Sequence, residues 1–179
     1  VIPGKTLNEV NKIILDSFDS IKIGVSKNQA LFEMENCKLV TRLLDGEFLN
    51  YSSVIPENWE TRVKVNKSNI QNCFERILLI SASSIEKEKK YPVKINIEVG
   101  KVTISCANQT GDAKEEIYVD TEGKELEIGF NPRFFLDALK AIDDEEVYIE
   151  FGTNRSPCII KPIEDGDYIY MILPIKMKE

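Results

Sequence analysis

One arrangement of elements recurs three times along the chain, a strand and a helix followed by three strands. The first copy has predicted elements over residues 1–3, 5–18, 21–25, 30–34 and 39–44. The second begins with a strand at Thr61 and continues over residues 68–80, 93–99, 102–107 and 116–120. The third has a strand over residues 126–130, a short helix and three further strands, and the chain then runs out in an apolar tail over residues 171–177. Recurrence of one supersecondary unit predicts a repeat architecture.

The repeated unit also predicts the fold class. Its strands alternate between apolar and polar residues, so each sheet has one face to bury, and each helix has one apolar stripe. This combination predicts an α+β fold in which helices pack on one face of antiparallel sheets. If two units pair into a closed domain, one of the three copies lacks its mate.

Local signals support the individual elements. The helical stripes at the 3.6-residue period are Leu7, Val10 and Ile14; Ile70, Phe74 and Ile77; and Phe135, Ala138, Leu139 and Ile142. Asn131 followed by Pro132 is typical of a helix N-cap with proline in the first helical position. The strand stripes Ile95, Ile97, Val99 and Val102, Ile104, Cys106 flank a Gly100–Lys101 turn, which predicts a type II′ hairpin.

Composition limits the classes of protein that the chain can belong to. The 179 residues contain no apolar run of the roughly 18 residues that a membrane span requires, and nothing at the start resembles a signal peptide. The four cysteines, Cys37, Cys73, Cys106 and Cys158, are far apart and lie in apolar segments. This pattern predicts reduced, buried thiols in a cytoplasmic protein rather than disulfides or zinc ligands.

Catalytic signatures are absent from the sequence. Histidine, the commonest general base and metal ligand, does not occur, and neither phosphate-binding glycine motif is present. Carboxylates in residues 143–146 and 114–116 leave a metal-dependent, carboxylate-based enzyme as the least favoured alternative, because adjacent acidic residues on a loop are usually only solvated. We therefore predict no catalytic residues, no metal and no cofactor.

The net charge of −7 argues against a protein that grips nucleic acid over its whole surface. It does not exclude DNA contact through one locally basic face on the helices. The cations on the helices are Lys5, Lys12, Arg76, Arg133 and Lys140. Glu9, Asp16, Glu75 and Asp137 share the same helices. From the residues alone, a solvated helix face is the preferred interpretation.

Several segments, taken in order, resemble the bacterial sliding DNA clamp, the β subunit of the replicative polymerase. They are residues 1–7 (VIPGKTL), 38–51 (KLVTRLLDGEFLNY) with 54–56 (VIP), 129–139 (GFNPRFFLDAL) and 170–177 (YMILPIKM). Clamps of this family have three domains, each a pair of the repeated units, and two subunits close head to tail into a ring. The resemblance implies the clamp fold, with residues 1–50 as the second half of the middle domain and 51–179 as the C-terminal domain. It therefore implies that the chain is a fragment.

The resemblance also implies a function. A processivity factor for DNA replication encircles double-stranded DNA without reading its sequence, and it tethers the replicative polymerase, the clamp loader and other partners that carry clamp-binding peptides. It is a cytoplasmic homodimer and a non-catalytic accessory subunit of a DNA-directed DNA polymerase, a nucleotidyltransferase. The basic helix residues would then contact phosphate. A repeat-built interaction module unrelated to DNA remains the alternative.

In the family, the partner peptide docks in an apolar pocket on the last domain. The matching positions are Leu49, Val54, Asn131, Phe134, Arg155, Pro157, Met171, Ile172, Leu173, Pro174, Ile175 and Met177. Part of the pocket comes from a middle-domain loop upstream of Val1. From pattern alone, a core position for Ile172 and Leu173 is as well supported as a pocket position. Leu79, which falls on the polar side of its helix, and Ile80 match positions that meet the first domain of the partner subunit.

Overall fold

A computed structural model describes residues 1–14, 20–82, 92–108, 111–164 and 166–177. Part of the predicted helix 5–18, with Asp16, lies outside the described residues, as do Asp165 and the last two residues. The chain divides into two compact units, residues 1–51 and 52–179. No helix among the described residues is long and apolar enough to cross a membrane.

The first unit is one helix against one antiparallel sheet. Its elements are α1 (Gly4–Ile13), β1 (Lys22–Val25), β2 (Gln29–Met34) and β3 (Cys37–Arg42), with the strands in the order β1-β2-β3. Its core consists of Val10, Ala30, Phe32 and Met34. A short 3-10 turn, Tyr51–Ser53, lies at the boundary with the second unit.

Two predictions for the first unit are wrong in detail. Residues 1–3 form no strand; Pro3 has no N–H to donate to a sheet, and it occupies the N-cap of α1 instead. Of the predicted stripe on α1, only Val10 is buried, whereas Leu7 is 48% exposed and Ile14 is also exposed. The three strands of this unit therefore leave part of the apolar stripe of α1 exposed.

The second unit contains the other two copies. The second copy comprises β4 (Thr61–Asn66), α2 (Lys67–Ala82), β5 (Val93–Glu98), β6 (Lys101–Asn108), β7 (Gly111–Tyr118) and β8 (Asp120–Gly123). The third comprises β9 (Leu126–Phe130), α3 (Pro132–Lys140), β10 (Glu146–Phe151), β11 (Cys158–Pro162) and β12 (Tyr170–Ile172). Both therefore follow the predicted plan, and β8 is an additional strand.

The two copies exchange their first strands. The four-stranded sheet has the order β7-β6-β5-β9, so the first strand of the third copy completes the sheet of the second. The five-stranded sheet has the order β12-β11-β10-β4-β8, so β4 makes the reciprocal addition. All strand pairs are antiparallel. This exchange joins the two copies into one closed unit.

Three aromatic rings lie at the centre of this unit. Phe74 on α2 stacks on Phe135 of α3 with ring centroids 4.6 Å apart, and Phe130 of β9 meets Phe135 edge-on at 5.1 Å. All three side chains are fully buried. Helix α3 begins as predicted, because the Asn131 Oδ1 atom accepts a hydrogen bond from the Arg133 backbone N–H at 3.1 Å.

The predictions around β6 and β7 are partly wrong. The hairpin turn consists of Val99 and Gly100, one residue earlier than predicted, and only Gly100 has a positive φ (+75°), so glycine is second in the turn rather than first. The strand predicted over residues 116–120 is two strands, β7 and β8. The inward face of β7 includes a charged residue, Glu115. The sequence of this strand therefore lacks a simple alternation of apolar and polar residues.

Candidate functional site

The end of the chain crosses from one sheet of the second unit to the other. Strand β12 is the edge of the five-stranded sheet. The residues that follow it, 173–177, are called the tail segment. The Ile175 backbone N–H donates a hydrogen bond to the Gly129 carbonyl oxygen on β9, the edge of the four-stranded sheet, at 2.7 Å. The tail segment therefore links the two sheet edges.

Gly129 is what permits this close approach. A Cβ atom added at this position would overlap the Met177 thioether and lie 2.9 Å from the Ile175 carbonyl oxygen. Met177 can move its flexible end, but the Ile175 oxygen belongs to the backbone. Any larger residue at position 129 would therefore displace the tail segment, a common reason for glycine inside a strand.

Two clefts lie on either side of the tail segment. The hairpin-side cleft, of about 540 Å³, is lined by Glu127, Ile128, Gly129, Asn154, Arg155, Pro174, Ile175, Lys176 and Met177. The sheet-side cleft, of about 850 Å³, is lined by Pro92, Lys94, Ser105, Cys106, Ala107, Asp112, Ala113, Lys114, Ile175, Lys176 and Met177. Both combine an apolar floor with a few charged groups, the composition expected of a peptide-binding groove.

Four of the twelve residues predicted for the pocket line the hairpin-side cleft: Arg155, Pro174, Ile175 and Met177. They come from the β10–β11 hairpin and the tail segment. Asn154 beside Arg155 belongs to a turn in which the Thr153 and Ser156 hydroxyl groups are 2.8 Å apart. This polar turn holds the hairpin tip beside the cleft.

The other predicted pocket residues have different environments. Leu173 is 60% exposed and Phe134 is 51% exposed, whereas Met171, Pro157 and Val54 are half-buried. Ile172 is 4% exposed and belongs to the hydrophobic core, and Asn131 is buried as the cap of α3. Leu49 is exposed in the first unit. The exposed side chains can contact a partner. Ile172 and Asn131 are buried and instead stabilise the elements that carry the exposed residues.

Sequence reasoning missed five residues that line the hairpin-side cleft: Glu127, Ile128, Gly129, Asn154 and Lys176. One signal was present. Gly129 interrupts an apolar strand between Ile128 and Phe130, and an isolated glycine in a strand often marks a close backbone approach. The sequence of the tail segment contains no such indication of the path that the segment takes.

Some charged side chains of the hairpin-side cleft form ion pairs and others do not. The Glu127 carboxylate is already paired with the Lys94 ammonium, with Oε1 and Nζ 3.0 Å apart. Arg155 and Lys176 are both exposed and form no ion pair with any residue that the structure describes. The cleft therefore offers two uncompensated positive charges.

The predicted phosphate-facing residues divide into two groups. Lys5, Arg133 and Lys140 are exposed, and Lys12 is exposed but paired with Glu9 at 2.8 Å. Arg76 is different, because its Nε and Nη2 atoms donate to the two Glu115 carboxylate oxygens at 2.8 and 2.7 Å. This hydrogen-bonded pair raises the pKa of Arg76 and lowers the pKa of Glu115. Its donors are engaged, which disfavours Arg76 as a phosphate contact.

Leu79 lies on the outer side of α2 and is 72% exposed. The neighbouring Ile80 carbonyl oxygen accepts a hydrogen bond from the Asn108 side-chain amide at 2.6 Å, which ties the end of α2 to β6. A single exposed leucine does not by itself mark an interface, because isolated apolar residues are common on protein surfaces. The assignment of Leu79 and Ile80 to a subunit contact stays a prediction.

The cysteines and acidic residues show no metal-binding arrangement in the described ranges, where no three His, Cys, Asp or Glu side chains converge. Cys73, Cys106 and Cys158 are buried free thiols, and Cys37 is half-buried. Burial raises the pKa of Cys106 and Cys158, so both remain protonated.

Comparison with known proteins decides the family. The profile of the DNA polymerase III beta subunit, C-terminal domain, matches residues 52–176, and that of the central domain of the same subunit matches residues 1–50. The chain belongs to the DNA polymerase III beta subunit family. The order of the two matches is the order of the two units seen in the fold.

Individual members of the family are similar over nearly the whole chain. The beta sliding clamp of Staphylococcus epidermidis is 37% identical over 98% of this chain, and that of Staphylococcus aureus is 34% identical over 98%; each match covers 46% of the relative. A beta subunit structure from Streptococcus pneumoniae superposes with a TM-score of 0.86 at 32% identity, covering 99% of this chain and 47% of that one. The sliding clamp of Bacillus subtilis gives a TM-score of 0.84 at 31% identity, with the same coverage.

These structures confirm the predicted clamp fold. The chain spans about half the length of the relatives that it matches.

Proposed function

We propose that this chain forms the partner-docking end of a sliding clamp, a processivity factor for DNA replication. Residues 1–50 would be the second half of the middle domain, and residues 51–179 the C-terminal domain. The observation that carries the proposal is the pair of family matches, central domain followed by C-terminal domain, on the two compact units. The strand exchange that joins two copies in the second unit supports it.

In the complete subunit, function depends on topology. A closed homodimeric ring retains duplex DNA whatever its sequence, so contact with phosphate needs only to be weak. Arg133 and Lys140 on α3, with Lys5 and Lys12 on α1, supply exposed positive charge for that contact. The subunit acts in the cytoplasm as a non-catalytic accessory of the polymerase.

The tail segment would tether the partners. A short peptide from the polymerase, the clamp loader or another partner would place its apolar residues against Leu173, Pro174 and Ile175. Gly129 fixes the tail segment to β9, and Arg155 offers a polar anchor at the rim. A rigid apolar floor with few polar anchors suits recognition of short peptides.

Binding of a Gln-Leu-x-Leu-Phe-type peptide tests this site. Leu173→Asp should lower the affinity by at least about tenfold, because a charge would replace an exposed apolar contact. Met171→Asp should also weaken binding. Isothermal titration of each variant measures the effect, and Leu79→Asp is the matched control, since Leu79 is also an exposed leucine but lies on α2. Wild-type affinity in both Leu173→Asp and Met171→Asp would reject the site.

The subunit contact leads to a separate expectation. In the family, the positions of Leu79 and Ile80 meet the first domain of the partner subunit, and neither family match on this chain corresponds to that domain. The 179-residue chain should therefore have the mass of a monomer, 20.4 kDa, in sedimentation or light scattering. A stable symmetric ring of these chains would contradict the assignment.

A further inference from the structure

The two clefts beside the tail segment share Ile175, Lys176 and Met177. A peptide lying in the hairpin-side cleft therefore needs only to cross the tail segment to reach the sheet-side cleft. Lys176 is exposed on the boundary between the two. The clefts thus form one extended surface rather than two separate sites.

Basic residues occur along this whole surface. Arg155 lies in the hairpin-side cleft, Lys176 at the boundary, and Lys94 and Lys114 in the sheet-side cleft. Lys94 and Lys114 are held in one cross-strand row, on either side of Ser105, by the registers of β5, β6 and β7. These four residues are called the basic track.

Three carboxylates, those of Asp112, Glu116 and Glu127, lie beside the four cations of the basic track. Lys94 is paired with Glu127 at 3.0 Å and Lys114 with Glu116 at 2.6 Å, both at the exposed surface. Exposed pairs of this kind are weak, so a carboxylate of a partner can replace them at little cost. Arg155 and Lys176 have no such pair to give up within the described ranges. Four cations against three carboxylates leave this surface with a small positive excess, in a chain of net charge −7.

We propose that the basic track binds acidic residues that flank the apolar anchor of a partner peptide. This inference rests on the proposed function of the tail segment as a peptide-binding wall, and it names the chemistry of the partner. Apolar residues would fix the peptide on the tail segment, while neighbouring aspartates or glutamates meet Arg155, Lys176, Lys94 and Lys114. Charges at the rim of an interface mainly select partners and speed their association.

A peptide fits this surface better than DNA does. The floor of the two clefts contains Pro92, Pro174, Ile175 and Met177, which a phosphate backbone does not use. Lys94 also alternates with the buried Val93 and Ile95, so it lies on the face of the sheet opposite the core and α2. In the proposed ring the helices face the DNA, which leaves the basic track on the outside.

The experiment compares two fluorescent peptides with the same Gln-Leu-Ser-Leu-Phe core, one flanked by serines and one by aspartates and glutamates. Fluorescence anisotropy at low salt should show that the 179-residue protein binds the acidic peptide about tenfold more tightly. The double substitution Arg155→Gln/Lys176→Gln should reduce the ratio of the two peptide affinities to about twofold or less. The control variant Lys64→Gln/Lys101→Gln makes the same change in net charge outside both clefts, and it should keep the full ratio. Added salt should shrink the ratio in the wild type.

Each of the other outcomes contradicts either the basic track or the proposed peptide site, and the outcomes can be told apart. Equal affinity for both peptides in the wild type would overturn the basic track and leave the peptide site intact. Loss of the ratio in the control variant as well would assign the effect to net charge alone. Displacement of the acidic peptide by random duplex DNA, in the wild type but not in the cleft variant, would assign the track to phosphate. Failure of both peptides to bind, in the 179-residue protein and in the complete subunit alike, would reject the proposed peptide site itself.

Discussion

Replacing Gly129 by valine should lower the affinity for a clamp-binding peptide by about tenfold or more, while the second unit stays folded. The new Cβ atom would lie 2.9 Å from the Ile175 carbonyl oxygen and would overlap the Met177 side chain. Because the Ile175 contact involves backbone, rotation of a side chain cannot relieve it. The tail segment must move, and the 2.7 Å hydrogen bond between Ile175 and Gly129 is lost. Titration with the peptide measures the change.

The matched control for this experiment is Gly24→Val. Gly24 is also a strand glycine, but the nearest atom to an added Cβ is the Leu31 Cβ atom at 3.9 Å, an ordinary contact. Circular dichroism of both variants separates loss of the site from loss of the fold. If Gly129→Val is folded and binds the peptide like the wild type, the tail segment is not a wall of the binding site.

Replacing Phe135 by alanine should have the largest effect on stability. The side chain is fully buried, stacks on Phe74 and meets Phe130 edge-on, so its removal leaves a cavity where α3 packs on α2 and β9. We expect a loss of about 3–5 kcal/mol in the free energy of unfolding. Urea denaturation followed by circular dichroism measures it.

The adjacent residue provides the control for Phe135. Phe134 has the same chemistry on the same helix but is 51% exposed, so Phe134→Ala should cost less than about 1 kcal/mol. Similar losses for the two substitutions would show that the buried face of α3 is wrongly assigned. The contrast also separates packing from any effect on helix propensity, which is the same for both.

Much of the fold is readable from local patterns. The strand-helix-three-strand plan, the cap of α3 at Asn131 and the alternation of β5 all depend on neighbouring residues. The exchange of β4 and β9 between sheets is not readable, because it joins segments distant in the chain. The extent of β7 is hard to predict for a related reason: Glu115 occupies an inward position of the strand, where it pairs with Arg76 of the distant α2.

The candidate site was less predictable than the fold. Family resemblance pointed to the tail segment, and the structure adds where that segment goes after Ile172. Its path has no periodicity, and it is determined by one backbone hydrogen bond to Gly129 and by the absence of a side chain there. Lys176 and Asn154 become site residues only through that path. A pattern of residue types cannot supply such a tertiary contact.

Retention on circular and linear DNA distinguishes a closed ring from a surface that binds DNA by contact, and it is measured with the complete subunit that contains this chain. The subunit is loaded onto a nicked circular duplex, and the fraction bound is measured by gel filtration before and after the circle is cut. We expect the protein to stay on the circle at moderate salt and to be lost when the DNA is made linear, because a ring is held by topology rather than by contact energy. Retention that depends only on salt, and is the same on circular and linear DNA, would show that the subunit does not act as a ring.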